Sequence, residues 1–477
     1  MEGSLDLQTF VNIAIGLISF FGGWILKVIW EKTNISIIGA GISGMAAAKL
    51  GKHIGAKIFI SDYNKNPENI TEIKQFDFEI GQHSSKILDS DLIIISPGIP
   101  NSTPIVKQCE KKKIPIISEI EFASLITSSP ILALTGSNGK TTTTNLLYQM
   151  CLTDGKNALI GGNVGIPFSE NVLLEMTSKM KNIIHVLELS SFQLERIESF
   201  TPNIAGLLNI SDDHLDRYID FNDYLNAKIN LIKNINETGK IIYNQDDLYL
   251  NKIFKNNNLA NPFSMNNQKN IYFKLNSNKI LTQSNGIEKI LIRLNQTKLQ
   301  GNHNIQNILA ASTMAHYYGI SHHAIKESII NFSPIPHRLE WIGKINDINF
   351  FNDSKATNIA ATQAAISSFD KKIILILGGL DKGKTDFSQL LPLLKEHTKF
   401  IITYGQDGES IKKQIKSIKN IIYIKKFKEA ILKASEHSKS GDTILLSPGC
   451  ASFDQFSNYE DRGNSFKKII NDMELEL

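Results

Sequence analysis

The sequence predicts an α/β protein of three domains preceded by an apolar helix, and three observations carry that prediction. The chain is 477 residues long, too long for one hydrophobic core and suited to about three domains of 100–200 residues. Two apolar strand-like runs lead straight into glycine turns that open helical stretches, GAGISG at Gly39–Gly44 and TGSNGKTTTT at Thr135–Thr144. Past Pro334 the alternation of apolar strand and helix starts afresh, as in a further doubly wound sheet. The expected division is residues 1–33 for the apolar segment, then 34–118, 119–334 and 335–477 for the three domains.

The apolar segment comes first. Phe10–Val28 is nearly all apolar or glycine, and as a helix it would be roughly 28 Å long, close to a bilayer's hydrocarbon core. Glu2 and Asp6 precede it, and no small-residue cleavage site follows, so it reads better as an anchor than as a signal peptide. Lys27, Lys32, Trp24 and Trp30 would keep the following body on the cytoplasmic side. It reads as a membrane anchor, a helix packed on the body or on another chain, or an appendage.

In the first domain, the strand Asn34–Ile38 meets the glycine turn, a helical stretch covers Met45–Ile54, and a second strand, Lys57–Ile60, leads to Asp62. This is the dinucleotide fingerprint. Yet only about 85 residues separate Thr33 from Ser118, too few for the two halves that a dinucleotide needs. A smaller nucleotide-bearing ligand at the same turn is the better inference. A buried strand, Asp91–Ser96, then ends at Pro97-Gly98.

The central domain should carry strands from Ile131, at Ile183–Leu189 and at Ile204–Ile210, with helices over Thr141–Cys151 and Tyr224–Ile235. Residues Lys252–Asn285, rich in Asn and Lys, read as irregular surface or short antiparallel strands. In the third domain the expected strands are Ile348–Asn352, Ile373–Leu377, Phe400–Tyr404 and Thr443–Leu446.

Composition excludes some functions. With 51 Lys+Arg against 47 Asp+Glu the net charge is +4, and the basic residues are dispersed, so nothing demands nucleic acid. Cys109, Cys151 and Cys450 lie far apart without zinc-ligand spacing, which leaves no disulfide framework and fits a reducing cytosol.

The chemistry centres on Gly136, Ser137, Asn138, Gly139, Lys140, Thr141 and Thr142. A glycine loop at a helix N-terminus turns backbone N–H groups toward a polyphosphate, with Lys140 on the β- and γ-phosphates and the Thr141 hydroxyl on Mg²⁺. Only Ser137 and Asn138 stand between Gly136 and Gly139, a gap shorter than that of ordinary kinases and GTPases, so an unusual ATP user is expected. Glu188, at a strand end, and His214, in the polar loop SDDHLDR, complete a plausible hard-metal set with Thr141. Lys228 reads as a solvated lysine on an ordinary amphipathic helix. Arg338 and Lys355 are cations suited to clamping a transferring phosphoryl group.

Together the strings TGSNGKTT, GGNVG, ELSSFQLE, DDHLDRY, GNHN, PHRLE, NDSKATN and SPGCASFDQF resemble the Mur ligases of peptidoglycan precursor synthesis, from about Thr33 to the C-terminus. The resemblance implies a UDP-binding Rossmann-like first domain, a P-loop ATPase domain and a Rossmann-like third domain that takes the amino acid. It implies an ATP-dependent amide ligase that phosphorylates the carboxylate of UDP-N-acetylmuramoyl-L-alanine and lets the amine of D-glutamate displace phosphate. Lys140, Thr141, Glu188 and His214 then match phosphate and Mg²⁺ positions, with two Mg²⁺ ions expected, and Lys228 matches a lysine that becomes carbamylated to help hold metal. Asn304 and Asn307 match the adenine side, while Arg338 and Asp353 match further ATP contacts contributed across the domain junction. Thr357, Lys382, Ser452, Phe453 and Tyr459 fall where D-glutamate binds, near Lys355, with Lys384 an alternative to Lys382. Ile42, Ser43, Asp62, Ser96, Pro97 and Gly98 match UDP-binding positions, where Asn64 replaces an arginine of some relatives. Asn163 and Gln193 match contacts near the muramoyl-alanine end. A cytoplasmic monomer is expected, with possible membrane contact through residues 10–28.

Three alternatives stand beside this reading. Another amide ligase of the Mur or folylpolyglutamate type shares the phosphate and metal residues. An NAD-dependent oxidoreductase would use GAGISG but leave Lys140, Glu188 and His214 without a task. A non-catalytic, membrane-tethered nucleotide-binding protein would not need them either.

Overall fold

The computed structural model describes residues 30–475 apart from 68, 164, 212–217, 219, 267–270, 285–286, 300, 334–335, 368, 370 and 382–384. Phe10–Val28 lies outside the described residues, and no helix among those described is long and apolar enough to cross a membrane. The chain divides into two compact units. One runs through Gln296 and takes in Gln306–Ile330; the other combines Thr297–Ile305 with the residues from Asn331 on.

The first sheet has five parallel strands: β1 (Asn34–Ile38), β2 (Lys57–Asp62), β3 (Asp77–Ile80), β4 (Leu92–Ile95) and β5 (Ile116–Ser118). Their spatial order is β3-β2-β1-β4-β5. All four residues of β4, Leu-Ile-Ile-Ile, are buried, the continuous apolar run expected of a parallel strand covered on both faces. Because β1 pairs with both β2 and β4, the strand order reverses there, and a crevice opens beyond their C-terminal ends.

The second sheet repeats the device with β6 (Ile131–Thr135), β7 (Asn157–Gly162), β8 (Ile183–Glu188), β9 (Ile204–Leu207), β10 (Lys240–Asn244) and β11 (Ala260–Phe263). Their order is β11-β10-β9-β6-β8-β7, so fully buried β6 lies between β8 and β9. A three-stranded antiparallel ribbon follows, β12 (Phe273–Asn276), β13 (Lys279–Ser284) and β14 (Ile287–Arg293). Thus Lys252–Asn285 is partly the antiparallel structure expected, but it also holds the end of the helix Leu248–Phe254 and the parallel edge strand β11.

The short helix Glu119–Ser124 staples the first sheet to the second. Ser118 caps it by accepting from the Glu121 N–H at 3.2 Å. The fully buried Glu121 carboxylate accepts from the backbone N–H groups of Glu198, Ser199 and Phe200 at 2.9–3.0 Å. Glu119, 2% exposed, accepts from the Ser169 N–H at the start of the helix Phe168–Thr177, and its Oε2 is buried with no hydrogen-bond partner. Burial pushes this carboxyl up to about 7, against the Ser169 hydrogen bonds. Trp30 packs into the same core, edge-on to Phe122 at 5.6 Å between ring centroids.

In the second unit, β15 (Glu340–Ile345), β16 (Ile348–Asn352), β17 (Ile373–Gly378), β18 (Thr398–Tyr404), β19 (Ile421–Ile424) and β20 (Thr443–Leu446) form a sheet of order β15-β16-β20-β17-β18-β19. It is parallel except for the β15–β16 hairpin. Helices cover both faces: Phe427, Ala430 and Ile431 pack on one, and Ile411 and Ile415 on the other.

Candidate active site

The loop after β6 is built from backbone geometry. Gly139 has φ +81°, a left-handed conformation, and caps the helix Lys140–Thr153. A Cβ at Gly139 would lie 2.2 Å from Asn307 Oδ1, so only glycine lets the loop pass. Asn209, just beyond β9, acts as its template. Its carbonyl accepts from Ser137 N–H at 2.9 Å, its Oδ1 from Asn138 N–H at 2.7 Å, and its Nδ2 donates to the Asn138 carbonyl at 3.1 Å. Ser137 Oγ lies 2.9 Å from the Tyr224 hydroxyl and accepts from Ser211 N–H.

Two lysines converge on one oxygen. Lys140 Nζ donates to the carbonyls of Gly136 at 2.7 Å and Ser137 at 2.8 Å. Lys228 Nζ donates to the same Gly136 carbonyl at 2.9 Å and lies 4.7 Å from the centre of the Tyr224 ring. Lys228 is 2% exposed, so the reading of a solvated lysine is corrected. The helix Phe221–Ile229 turns this residue inward under the loop, and its polar tip finds a backbone acceptor there, as burial demands.

Register brings Glu188 to the same place, because Glu188 pairs with Leu134 across β8 and β6. Its Oε1 accepts from Asn163 Nδ2 at 2.9 Å, while its buried Oε2 has no hydrogen-bond partner. Thr141 is buried at the helix start. A buried, unsatisfied carboxylate oxygen and a threonine hydroxyl at a helix start are hard-oxygen donors of the kind that fits Mg²⁺. His214 lies outside the described residues, and no cluster of three or more His, Cys, Asp or Glu suited to a metal occurs among those described. Gln193 is buried in a capping box with Ser190. On the helix Asn302–Tyr318, Asn304 and Asn307 are both buried, and Asn307 Oδ1 accepts from Thr143 Oγ1 at 3.2 Å.

The first glycine turn forms a second locus. Gly39 has φ +93°, and a Cβ on Gly44 would sit 1.9 Å from the Gly39 carbonyl oxygen, so helix and turn touch. Ser96 Oγ donates to the Gly39 carbonyl at 2.8 Å. Asp62 accepts from Ala40 N–H and from Asn64 N–H. Ile42, Asp62, Asn64 and Lys49 line a cavity of about 350 Å³, whereas Ser43, Ser96, Pro97 and Gly98 lie outside its lining.

In the second unit, Thr357, Ser452, Phe453 and Tyr459 share a cavity of about 390 Å³ with Asn358 and Asp381. Lys382 and its alternative Lys384 lie outside the described residues. Lys355 Nζ stands 5.6 Å from the centre of the Tyr459 ring. Arg338 sits between His337 at φ +63° and Leu339 at φ +44°, conformations uncommon outside glycine and costly for a bulky residue. The turn is held by hydrogen bonds from Leu339 N–H to Asp353 Oδ1 and from Lys355 N–H to the His337 carbonyl. Burial pushes the Asp353 carboxyl up to about 7, against Ser447 and Arg338, while burial and then Arg338 hold the His303 imidazole down at about 4.

Three family models match successive parts of the chain: a MurD-like N-terminal domain of Mur ligases over residues 33–118, the Mur ligase middle domain over 134–315, and the glutamate ligase domain of Mur ligases over 337–450. The chain belongs to the Mur ligase family. This Mur ligase is 39% identical over 450 residues to the UDP-N-acetylmuramoylalanine--D-glutamate ligase of Christiangramia forsetii, covering 92% of this chain and 99% of that one. To the enzymes of the same name from Chloroherpeton thalassium and Bacillus mycoides it is 36% and 37% identical, over 91–92% of this chain and 97–98% of theirs. Among solved structures, UDP-N-acetylmuramate-alanine ligase MurC from Thermotoga maritima matches with TM-score 0.56 at 17% identity, covering 92% of this chain and all of that one. A pseudomurein peptide ligase type C from Methanothermus fervidus gives TM-score 0.56 at 19% identity, over 93% and 100%. At such identities these two report the three-domain α/β fold alone.

Sequence reasoning missed some of the residues that build this Mur ligase's sites. Asn209, two residues before the SDDHLDR loop, was given no role, although an asparagine just past a strand end is well suited to bridging backbone groups. Arg462 was not singled out at all, because in YEDRGN it looks like any solvated residue at a helix start.

Proposed function

We propose that this Mur ligase joins D-glutamate to UDP-N-acetylmuramoyl-L-alanine at the expense of ATP, through an acyl phosphate, in peptidoglycan precursor synthesis. The observation that carries the reading is the near-complete coverage of several relatives named D-glutamate ligases at 33–39% identity. The loop geometry supports it. Lys140 and the N–H groups at the start of Lys140–Thr153 neutralise the γ-phosphate as the substrate carboxylate oxygen attacks phosphorus and ADP leaves. The free amine of D-glutamate then attacks the acyl carbon, phosphate departs with its bonding electron pair, and the nitrogen gives up a proton to solvent as the amide forms.

Thr141, Glu188, His214 and Lys228 are the residues that would hold Mg²⁺. When bound, the ion would neutralise charge on the phosphate oxygens. The buried unsatisfied Glu188 oxygen supports this assignment. Lys228 fits carbamylation, in which its neutral amine takes up CO₂ and releases a proton. The carbamate keeps one N–H for the Gly136 carbonyl and replaces a second cation beside Lys140 with an anion.

Asn304, Asn307, Arg338 and Asp353 are assigned to ATP. Ile42, Ser43, Asp62, Ser96, Pro97 and Gly98 are assigned to the uridine nucleotide, in a first domain whose strand order supports the Rossmann-like reading. Asn163 and Gln193 face the muramoyl-alanine end. Thr357, Lys382, Ser452, Phe453 and Tyr459 are assigned to D-glutamate, with Lys355 beside them. Three buried free cysteines support a reducing, cytoplasmic setting.

The test is phosphate release from ATP with a panel of amino acids. Release is expected only when UDP-N-acetylmuramoyl-L-alanine and D-glutamate are both present. Equal turnover with L-alanine or a diamino acid would overturn the assignment.

A further inference from the structure

The second unit contains a buried cation that the reaction above does not use. Arg462, in the first turn of the helix Tyr459–Leu475, is fully buried. Among the described residues no carboxylate pairs with it within 4.0 Å. Instead Nε donates to Ser354 Oγ at 2.9 Å and Nη2 to the carbonyls of Ser354 at 2.8 Å and Cys450 at 3.1 Å. Nη1 donates to the Cys450 carbonyl at 3.1 Å, the Ala451 carbonyl at 3.3 Å and the Tyr404 hydroxyl at 3.2 Å.

These acceptors are the backs of the segments that wall the 390 Å³ cavity. Ser354 precedes Lys355 and Thr357; Cys450 and Ala451 precede Ser452 and Phe453. Ala451 also exchanges two backbone hydrogen bonds with Leu380, the start of the next wall. Arg462 itself follows Tyr459 by less than one helical turn. One planar guanidinium thus ties together segments about a hundred residues apart in sequence. A lysine at this position would offer three donors from one point and could not span them.

The guanidinium is met by the carbonyls of Ser354, Cys450 and Ala451 and the hydroxyls of Ser354 and Tyr404, as a buried cation requires, and buried Asp353 feels its charge as well. Arg462 is not itself in the cavity wall, which includes Asp381 and Glu460, so it acts on the cavity through the segments it holds. We propose that Arg462 is a positioning residue for the amino-acid site, fixing the 354–357 and 450–453 segments that carry Thr357, Ser452 and Phe453. This rests on the D-glutamate reading above.

The experiment compares the wild-type enzyme with Arg462→Lys and Tyr404→Phe in the phosphate-release assay, varying each substrate in turn. For Arg462→Lys the KM for D-glutamate is expected to rise by at least about tenfold, from the loss of several buried hydrogen bonds. The KM values for ATP and the sugar nucleotide should rise much less than that for D-glutamate, since Cys450 and Ala451 line the amino-acid cavity. Tyr404→Phe, which removes a single acceptor, should raise the D-glutamate KM about two- to fivefold. It decides the matter if Arg462→Lys does not fold by circular dichroism. An unchanged D-glutamate KM in a folded Arg462→Lys, or equal rises for all three substrates, would overturn the proposal; with Arg462→Lys unfolded, an unchanged KM in Tyr404→Phe would do so. Absence of D-glutamate turnover in the wild type would instead defeat the underlying reading, so the two failures are distinguishable.

Discussion

Glu119→Gln should change how stability depends on pH. In the wild-type fold burial raises the Glu119 carboxyl from 4.5 to about 7, so the folded protein holds a proton that the unfolded chain releases. The associated stability is complete below about pH 4.5 and is lost as pH rises through about 7. That gap corresponds to roughly 3 kcal/mol between pH 4 and pH 8. The glutamine variant can still accept from Ser169 N–H but carries no ionisable group, so this share of the slope should vanish. Asp353, raised from 3.8 to about 7, titrates over the same range and lies in the other unit, so a residual slope remains. The assay is denaturant-induced unfolding from pH 5 to 8, with the Trp30 indole reporting on the core around Phe122. A variant curve that falls with pH as steeply as the wild type would refute the argument. It would mean that water or structural relaxation already stabilises the ionised Glu119.

Lys228→Ala should lose most phosphate release and regain part of it with short carboxylic acids such as formate, because the cavity left beside Gly136 can admit an anion; an unchanged rate, or no rescue at any acid concentration, would contradict the carbamate assignment. Gly139→Ala forces a left-handed alanine against Asn307, which should raise the KM for ATP or lower turnover by at least about tenfold while far-UV circular dichroism is preserved. A variant with wild-type ATP kinetics would show that the loop tolerates a Cβ after all.

Much of the fold could be read from the sequence wherever strands are buried on both faces. β4 and β17 are continuous apolar runs and β1 and β8 are mostly apolar, and their expected limits match those observed to within a residue. Edge strands were missed for the converse reason. β3 reads Asp-Phe-Glu-Ile and is half exposed, and β19 is only partly buried along its length. Glycine turns could be recognised because positive φ and close packing leave few other residues possible, as at Gly39 and Gly139. Lys228 could not, since an amphipathic pattern does not say what lies over the end of a helix. The amino-acid cavity was equally hidden to local reasoning, because Thr357, Ser452 and Tyr459 meet only through the pairing of β16 with β20. The family strings supplied what the local pattern lacked.

Trp30 gives the N-terminus a mechanical meaning. Its indole is locked against Phe122 in the core shared by the first two sheets, so tension passed through residue 30 is borne by that core beside the Glu119–Ser124 staple. A surface, a fusion partner or an affinity handle placed ahead of residue 30 would pull on that shared core.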